Sequence, residues 1–163
     1  MSKSQQLQIR VSAEEKAEIQ RRAAEAGMDV SKWVLKQVLP PPAERFQTLC
    51  TALAESQTER SYVLAELNDF LSSLSGKALA PTVREHPRVE LPPFEANYVA
   101  AMVAHTAARK SIEAPVWIRK IQPLPAPWFA SSLKSLRLHL LTSSAPAFRS
   151  RNLFVDSSVG DRV

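Results

Sequence analysis

The chain has 163 residues, 45% of them hydrophobic, and a formal net charge of +5, enough for one modest domain or a small module with an appendage. Its single cysteine, Cys50, excludes an internal disulfide framework and a cysteine-built zinc site. No apolar run approaches the roughly 20 residues that span a bilayer, and the polar N-terminus lacks the apolar core of a secretory signal, so we expect a cytoplasmic protein without a membrane partner.

The first predicted element is a β-strand over residues 5–11, where polar and apolar side chains alternate. One face carries Leu7, Ile9 and Val11, and the other carries Gln6, Gln8 and Arg10. An isolated strand is unstable, and no strand-like segment follows nearby. We therefore expect it to pair with the same strand of a second copy, giving an antiparallel ribbon in a twofold homodimer.

The polar face of this ribbon has the side chains that read DNA. A two-stranded ribbon fits the major groove of double-stranded DNA, where Gln pairs with adenine and Arg with guanine. The predicted base contacts are Gln6, Gln8 and Arg10. Alternation before a capped helix also occurs in ordinary α/β domains, where such residues only face solvent.

The next segment predicts a first helix that begins at a capping box and ends at a glycine. Ser12 and Glu15 have the spacing at which each side chain binds the other residue's amide. The helix runs to about Ala26, and Gly27 can take the left-handed conformation that closes a helix.

A second helix is predicted from an N-cap at Ser31 to the residue before Pro40. The amides around Ser31 and Lys32 would then form an anion site, so both residues are predicted DNA phosphate contacts. The predicted dimer core consists of Leu7, Ile9, Val11, Ile19, Trp33 and Val34.

These elements resemble the ribbon-helix-helix superfamily of repressors, relaxosome accessory proteins and antitoxins. The resemblance is carried by Leu7-x-Ile9-Arg10-Val11-Ser12, Glu14-Glu15, Gly27-Met28 and Val30-Ser31-Lys32-Trp33-Val34. It covers about a quarter of the chain and implies a DNA-binding and dimerisation module over residues 1–42. One departure is the short second helix, which three prolines stop at Leu39.

The rest of the chain is predicted to be mostly α, with a helical middle at 43–80 and a proline-rich, loop-rich C-terminal region at 81–163. The middle reads as helix from Pro42 to Ser75, and its polar residues 55–61 are one polar turn or, as we favour, a break. Later elements are helices at 93–110 and 132–142 and a short strand or extended segment at 153–155. The second of these helices should turn its leucines inward: Leu133, Leu136, Leu140 and Leu141.

The C-terminal region is rich in aromatic residues and arginines, which dominate interface hot spots. The predicted partner-binding residues are Trp117, Trp128, Phe129, Phe148, Arg149, Arg151 and Phe154. The same residues could equally pack on helices of their own chain, and an RNA-stacking surface is a third option. The region resembles small bacterial proteins found beside nucleotidyltransferase-like toxins, which implies a cognate toxin as partner.

The sequence does not predict an enzyme. The three histidines have no His or Cys neighbour at metal-ligand spacing, and three glycines do not make a phosphate-binding loop. A pairing of His139 with Asp156 is conceivable, but no nucleophile is predicted beside it. We expect no catalytic residue, cofactor or metal.

The preferred hypothesis is a homodimeric, DNA-binding antitoxin that represses its own operator, with a higher-order assembly left open. The N-terminal ribbon would read DNA and the C-terminal half would bind the toxin. The alternatives are a plasmid mobilisation accessory protein or another ribbon-helix-helix transcriptional repressor. A third possibility is an interaction adaptor whose strand dimerises without touching DNA.

Overall fold

The computed structural model describes residues 8–56 and 58–156. The chain divides into two compact units, residues 1–41 and residues 42–163. Both units are built mainly from helices, which confirms the mostly α prediction. None of the helices in the described ranges combines the length and the apolar character that a membrane span requires.

Unit 1 consists of two helices joined by a tight turn. They are α1 (Ala13–Glu25) and α2 (Val30–Val38). Gly27 has a φ of +64°, and two amides close α1 behind it: Met28 N–H donates to Ala23 O at 2.9 Å and Gly27 N–H to Ala24 O at 3.0 Å. This pair of bonds is a Schellman motif, so the prediction that Gly27 ends the first helix is confirmed.

Unit 2 begins with helices that the sequence predicts well. Its helices are α3 (Pro42–Glu55), α4 (Arg60–Ser73), α5 (Gly76–Thr82), α6 (Pro93–Arg109), α7 (Arg137–Ser143) and α8 (Pro146–Arg149). The interruption between α3 and α4 confirms the predicted break. The short helix α5 was not predicted, and it begins where Ser75 Oγ accepts the Ala78 amide at 3.3 Å.

Helix α6 forms the centre of unit 2, because it is buried over most of its circumference. Its buried residues include several alanines and valines, whose small side chains let neighbouring helices approach closely: Val99, Ala100, Ala101, Met102, Val103 and Ala107. Helices α4, α5 and α8 pack on it, and α3 packs on α4 and α5. Cys50 of α3 is fully buried among these helices, and burial raises the pKa of its thiol to about 12. It is the small buried hydrophobe that its apolar neighbours indicate.

The residues after α6 fold back over the helices. Two 3₁₀ helices, Val116–Lys120 and Lys134–Leu136, alternate with two short strands, β1 (Trp128–Phe129) and β2 (Leu153–Phe154). The strands pair in parallel, with Trp128 opposite Leu153 and Phe129 opposite Phe154. The prediction of extended structure at 153–155 is therefore confirmed for the two residues of β2.

A buried arginine ties this C-terminal wrap to α6. The Arg151 guanidinium donates to Asn97 Oδ1 at 3.1 Å, to Ile121 O at 3.3 Å and to Ile118 O at 2.7 Å. Asn97 in turn donates through Nδ2 to Gln122 O at 3.0 Å. Burial lowers the pKa of Arg151 from its ordinary value, and the carbonyls supply the partners that a buried cation requires.

Several predicted partner-binding residues are interior residues of unit 2. Trp117, Phe148, Arg151 and Phe154 are buried. Trp117 donates from Nε1 to Val83 O at 2.9 Å, and Phe148 packs edge-on against Tyr98. The interpretation of these four residues as surface anchors for a partner is wrong, because their own chain covers them. The alternative prediction, that they pack on helices of the same chain, fits their burial. Arg149 and Trp128 are exposed and Phe129 is half-buried.

The predicted inward leucines of the last helix also need correction. Leu140 is buried, but Leu133, Leu136 and Leu141 are exposed. The segment begins as a 3₁₀ helix and becomes α-helical only at Arg137. Because a 3₁₀ helix turns more tightly than an α-helix, Leu133 and Leu136 do not lie on the face that a continuous α-helix would give them.

Replacing Arg151 by alanine should destabilise unit 2 strongly. The substitution Arg151→Ala leaves Asn97 Oδ1 and two carbonyls buried without their donor, so we expect a loss of about 3 kcal/mol in the free energy of unfolding. Urea denaturation followed by tryptophan fluorescence measures this quantity. Arg149→Ala removes the same side chain from an exposed position two residues earlier and should cost less than about 0.5 kcal/mol. Equal losses in both variants would contradict the assigned role of Arg151.

Candidate nucleic-acid interface

The entry to α1 is fixed by the predicted capping box. Ser12 N–H donates to Glu15 Oε2 at 2.7 Å, and Glu15 N–H donates to Ser12 Oγ at 3.2 Å. Ser12 itself has extended backbone angles, φ −69° and ψ 167°. The cap therefore stops the helix sharply, so that the residues before Ser12 leave α1 in an extended direction.

The predicted ribbon lies directly before this cap. Gln8 and Arg10 are exposed, as base contacts must be. Ile9 and Val11 are also exposed, Ile9 to 61%, which is unusual for two apolar residues so close together. Within the described residues, segment 8–11 pairs with no other strand of the chain. Gln6 and Leu7 lie outside the described residues.

The predicted dimer core is partly assembled within one copy of unit 1. Val11, Ile19 and Trp33 line an open cleft of about 450 Å³, together with glutamates of α1. Ile19, Trp33 and Val34 are half-buried, and the only fully buried residue among the described part of unit 1 is Ala23. The structure thus brings three of the six predicted residues, Val11, Ile19 and Trp33, to one surface but does not cover them.

The rim of this cleft is acidic. Glu14, Glu15 and Glu18 lie along it, with Arg22 at one side. Glu18 binds Arg22 Nε at 2.7 Å and Arg21 at 2.8 Å, so the arginines of α1 are engaged with carboxylates of the same helix. Three carboxylates beside the apolar side chains make this cleft an unfavourable surface for a polyanion.

The start of α2 differs from the prediction. The N-cap is Asp29, whose Oδ1 accepts the Lys32 amide at 2.8 Å. Lys32 Nζ also lies 3.0 Å from Asp29 Oδ2. Ser31 is therefore inside the helix, and the prediction of Ser31 as N-cap is wrong. Both residues are good caps, but the turn after Gly27 ends at Met28, so Asp29 is the first residue able to cap.

This cap changes the predicted phosphate site. The carboxylate of Asp29 already occupies the anion position at the N-terminus of α2, and it neutralises Lys32. Ser31 and Lys32 are exposed, but a phosphate would have to compete with Asp29 for them. Sequence reasoning missed Asp29, although an Asp directly after the helix-closing turn was a usable signal.

In the described part of unit 2, the pairing of His139 with Asp156 is the other site that the sequence raised. His139 Nε2 is 3.4 Å from Asp156 Oδ2, and both side chains are exposed. The described ranges contain no group of three His, Cys, Asp or Glu side chains placed to hold a metal ion.

The capping box should titrate at low pH. Hydrogen bonding of the Glu15 carboxylate to Ser12, first to its backbone amide and then to its side chain, lowers the pKa of Glu15 from its ordinary value of 4.5. A carboxylate with a lowered pKa stabilises the folded state above its unfolded pKa and loses that contribution as the pH falls through the folded value. The Ser12 amide resonance should therefore shift with a midpoint below 4.5 in an NMR titration.

Glu15→Gln should abolish this titration of the Ser12 amide, whereas Glu14→Gln removes a carboxylate from the same turn and should leave it in place. A midpoint at or above the ordinary value would contradict a formed capping box in solution.

Comparison with known families finds one similarity, at the N-terminal end of the chain. Residues 1–49 match the NikA-like family, described as mobilization protein NikA. No match was found among the curated proteins or among the solved structures. NikA is a ribbon-helix-helix protein, so the match supports a DNA-binding module of that type in this chain. It also favours the mobilisation alternative over the antitoxin interpretation, since it gives no support to a toxin partner. In its N-terminal third, then, the chain is similar to a mobilization protein with a ribbon-helix-helix fold.

Proposed function

We propose that the chain is a homodimeric, DNA-binding accessory protein of plasmid mobilisation. The observation that carries the proposal is the match of residues 1–49 to mobilization protein NikA. The exposed apolar residues of unit 1 and the Gln/Arg face before α1 agree with it. They supply a surface for a second copy and a surface for DNA.

Dimerisation follows from what one copy leaves uncovered. Ile9 and Val11 are exposed, and Ile19 and Trp33 line an open cleft. Pairing of segment 5–11 with its twofold copy would satisfy the backbone groups of both strands. It would also place the apolar faces of both strands over the cleft, with a gain of roughly 25 cal/mol for each Å² of apolar surface removed from water.

The paired strands would read DNA through their opposite face. Two paired strands lie about 4.8 Å apart, and the major groove is about 12 Å wide. The groove is therefore wide enough to hold the two-stranded ribbon. Gln6, Gln8 and Arg10 of each copy would then face base edges. Twofold symmetry of the protein requires two related half-sites in the DNA.

The transfer origin is the natural place for such a site in this proposal. Binding there would mark one position on the element that is to be mobilised, and unit 2 would be available for contacts with other components. A transcriptional repressor would use the same ribbon at a promoter. The two roles differ in where the bound sequence lies.

Removing the reading side chains should abolish sequence-specific binding and leave the dimer. The full chain should enrich a duplex with twofold-related half-sites from a random DNA pool, while the double variant Gln8→Ala, Arg10→Ala should enrich none, because both bidentate contacts are lost. Analytical ultracentrifugation should give the same dimer for both proteins, and Gln37→Ala on exposed α2 serves as matched control.

Retained selection by the double variant would refute the ribbon assignment. If the selected sequence lies at a promoter and deletion of the gene leaves the mobilisation frequency unchanged, the repressor role replaces the mobilisation role.

Neutralising the cap of α2 should strengthen binding if this helix contacts a phosphate. Asp29→Asn keeps a good N-cap but removes the carboxylate that occupies the anion position. We expect the affinity for the selected duplex to rise about fivefold, the effect of about 1 kcal/mol between charges near 4 Å in water. Fluorescence anisotropy measures the affinity. Asp69→Asn makes the same change of charge at an exposed position of α4 and should have little effect on the affinity. An equal rise in both variants would show that net charge alone causes it.

A further inference from the structure

The leucines around α7 form an exposed apolar surface in unit 2. Five of the nine residues from 133 to 141 are leucine, and only Leu140 is buried. Leu138 is 72% exposed and Leu133 59% exposed. We call the four exposed residues the leucine surface: Leu133, Leu136, Leu138 and Leu141. Exposed apolar surface of this extent marks interaction sites.

The leucine surface belongs to an ordered part of the fold. The Ser144 hydroxyl donates to Val155 O at 2.6 Å and so fixes the end of α7 to the segment after β2. At the start of α7, the Arg137 guanidinium lies 5.1 Å from the centre of the Phe129 ring. That ring stacks on Phe154 at 5.0 Å. The exposed leucines are therefore held by contacts at both ends of the helix.

The charge around this surface is mostly positive, and one carboxylate lies beside it, Asp156, whose Oδ2 is 3.4 Å from His139 Nε2 of α7. Residues 114–155 contain six Lys/Arg and no Asp/Glu. Of the six, only Arg151 is buried; the other five are exposed, and Lys134 and Arg137 lie within the leucine segment itself. A surface that combines leucines with a majority of cations is complementary to an apolar stripe edged by acidic residues.

This complementarity selects among the possible occupants. A symmetric contact with a second copy would bring like charges together, which is unfavourable. DNA or RNA would satisfy the cations but would leave the leucines unused, since contacts to the phosphate backbone are polar. An acidic amphipathic helix satisfies both properties, in the manner of helices that lay an apolar face against an apolar groove.

We propose that the leucine surface docks an acidic amphipathic helix of a partner protein. Exposed Leu138 and Leu141 supply the apolar contact, and Lys134 and Arg137 supply the charge that selects the acidic edge. The proposal does not depend on the DNA-binding function of unit 1. In this proposal the partner-binding residues are the exposed leucines rather than the aromatic residues predicted from the sequence, several of which are buried.

The test uses the full chain and two synthetic helical peptides. Both peptides carry a leucine stripe; in one the flanking positions are glutamate, and in the other they are lysine. Fluorescence anisotropy should show binding of the acidic peptide below about 100 µM and no binding of the basic peptide in that range. The double variant Leu138→Ser, Leu141→Ser should weaken binding about tenfold or more, and so should Lys134→Glu, Arg137→Glu.

Val116→Ser is the matched control, because Val116 is 66% exposed in the same unit but outside the leucine surface. It should leave the affinity unchanged. All substituted residues are exposed, so the melting temperatures of the leucine variant and of Val116→Ser should stay near that of the parent chain. Arg137→Glu also removes the contact with Phe129, so a small fall is expected in the charge variant.

Four results would overturn the proposal. The first is failure of the acidic peptide to bind, and the second is equal binding of both peptides. The third is a fall in the assembly state of the chain in the leucine variant, which would make a second copy the occupant. The fourth is a combination of two observations: the Lys134→Glu, Arg137→Glu variant loses non-specific binding to duplex DNA, and the leucine variant binds the acidic peptide as well as the parent chain does. Together they would make nucleic acid the occupant.

Discussion

Unit 1 cannot bury its own apolar residues, and its proposed function rests on this constraint. Two short helices and an extended segment give it one fully buried residue, Ala23, among those that the structure describes. Helices of 13 and 9 residues are marginal without tertiary packing. In the proposed dimer, association would add stability through an antiparallel ribbon at the place where Ile9 and Val11 are exposed. In the proposed function DNA recognition would use the other face of the same segment, so dimerisation would create the DNA-reading surface.

The features of unit 1 that could be predicted are those set by local chemistry. The Ser12 capping box and the Gly27 closure depend only on residues within one turn, and both are present as predicted. The N-cap of α2 was missed because Asp29 and Ser31 are both adequate caps. Which of the two caps the helix depends on the number of residues in the Schellman turn. That number is set by the geometry at the end of the preceding helix and not by either side chain.

In unit 2 the long helices were predictable and the wrap that follows them was not. Helices α3 and α6 bury regular apolar faces, which leave a periodic signal in the sequence. The environment of Arg151 depends on Asn97 and on carbonyls of the 3₁₀ helix, residues 30 to 54 positions away. No local pattern encodes that contact. For the same reason, composition identified the aromatic-rich region but could not separate buried Trp117 from exposed Trp128.

The parallel pairing of β1 with β2 closes a loop that contains α7, α8 and Arg151. Parallel strands need a long connection, so β1 and β2 pair only when the chain between them is folded, and Phe148 in that connection packs in the same apolar core as α3 and α4. The region from 130 to 152 is thus expected to behave as one cooperative unit in native-state hydrogen exchange. Its opening would release the arginine and the leucines together. The surface that receives a partner would then exist only while the loop is closed, so a bound partner would slow amide exchange across the whole loop and not merely beneath its own footprint.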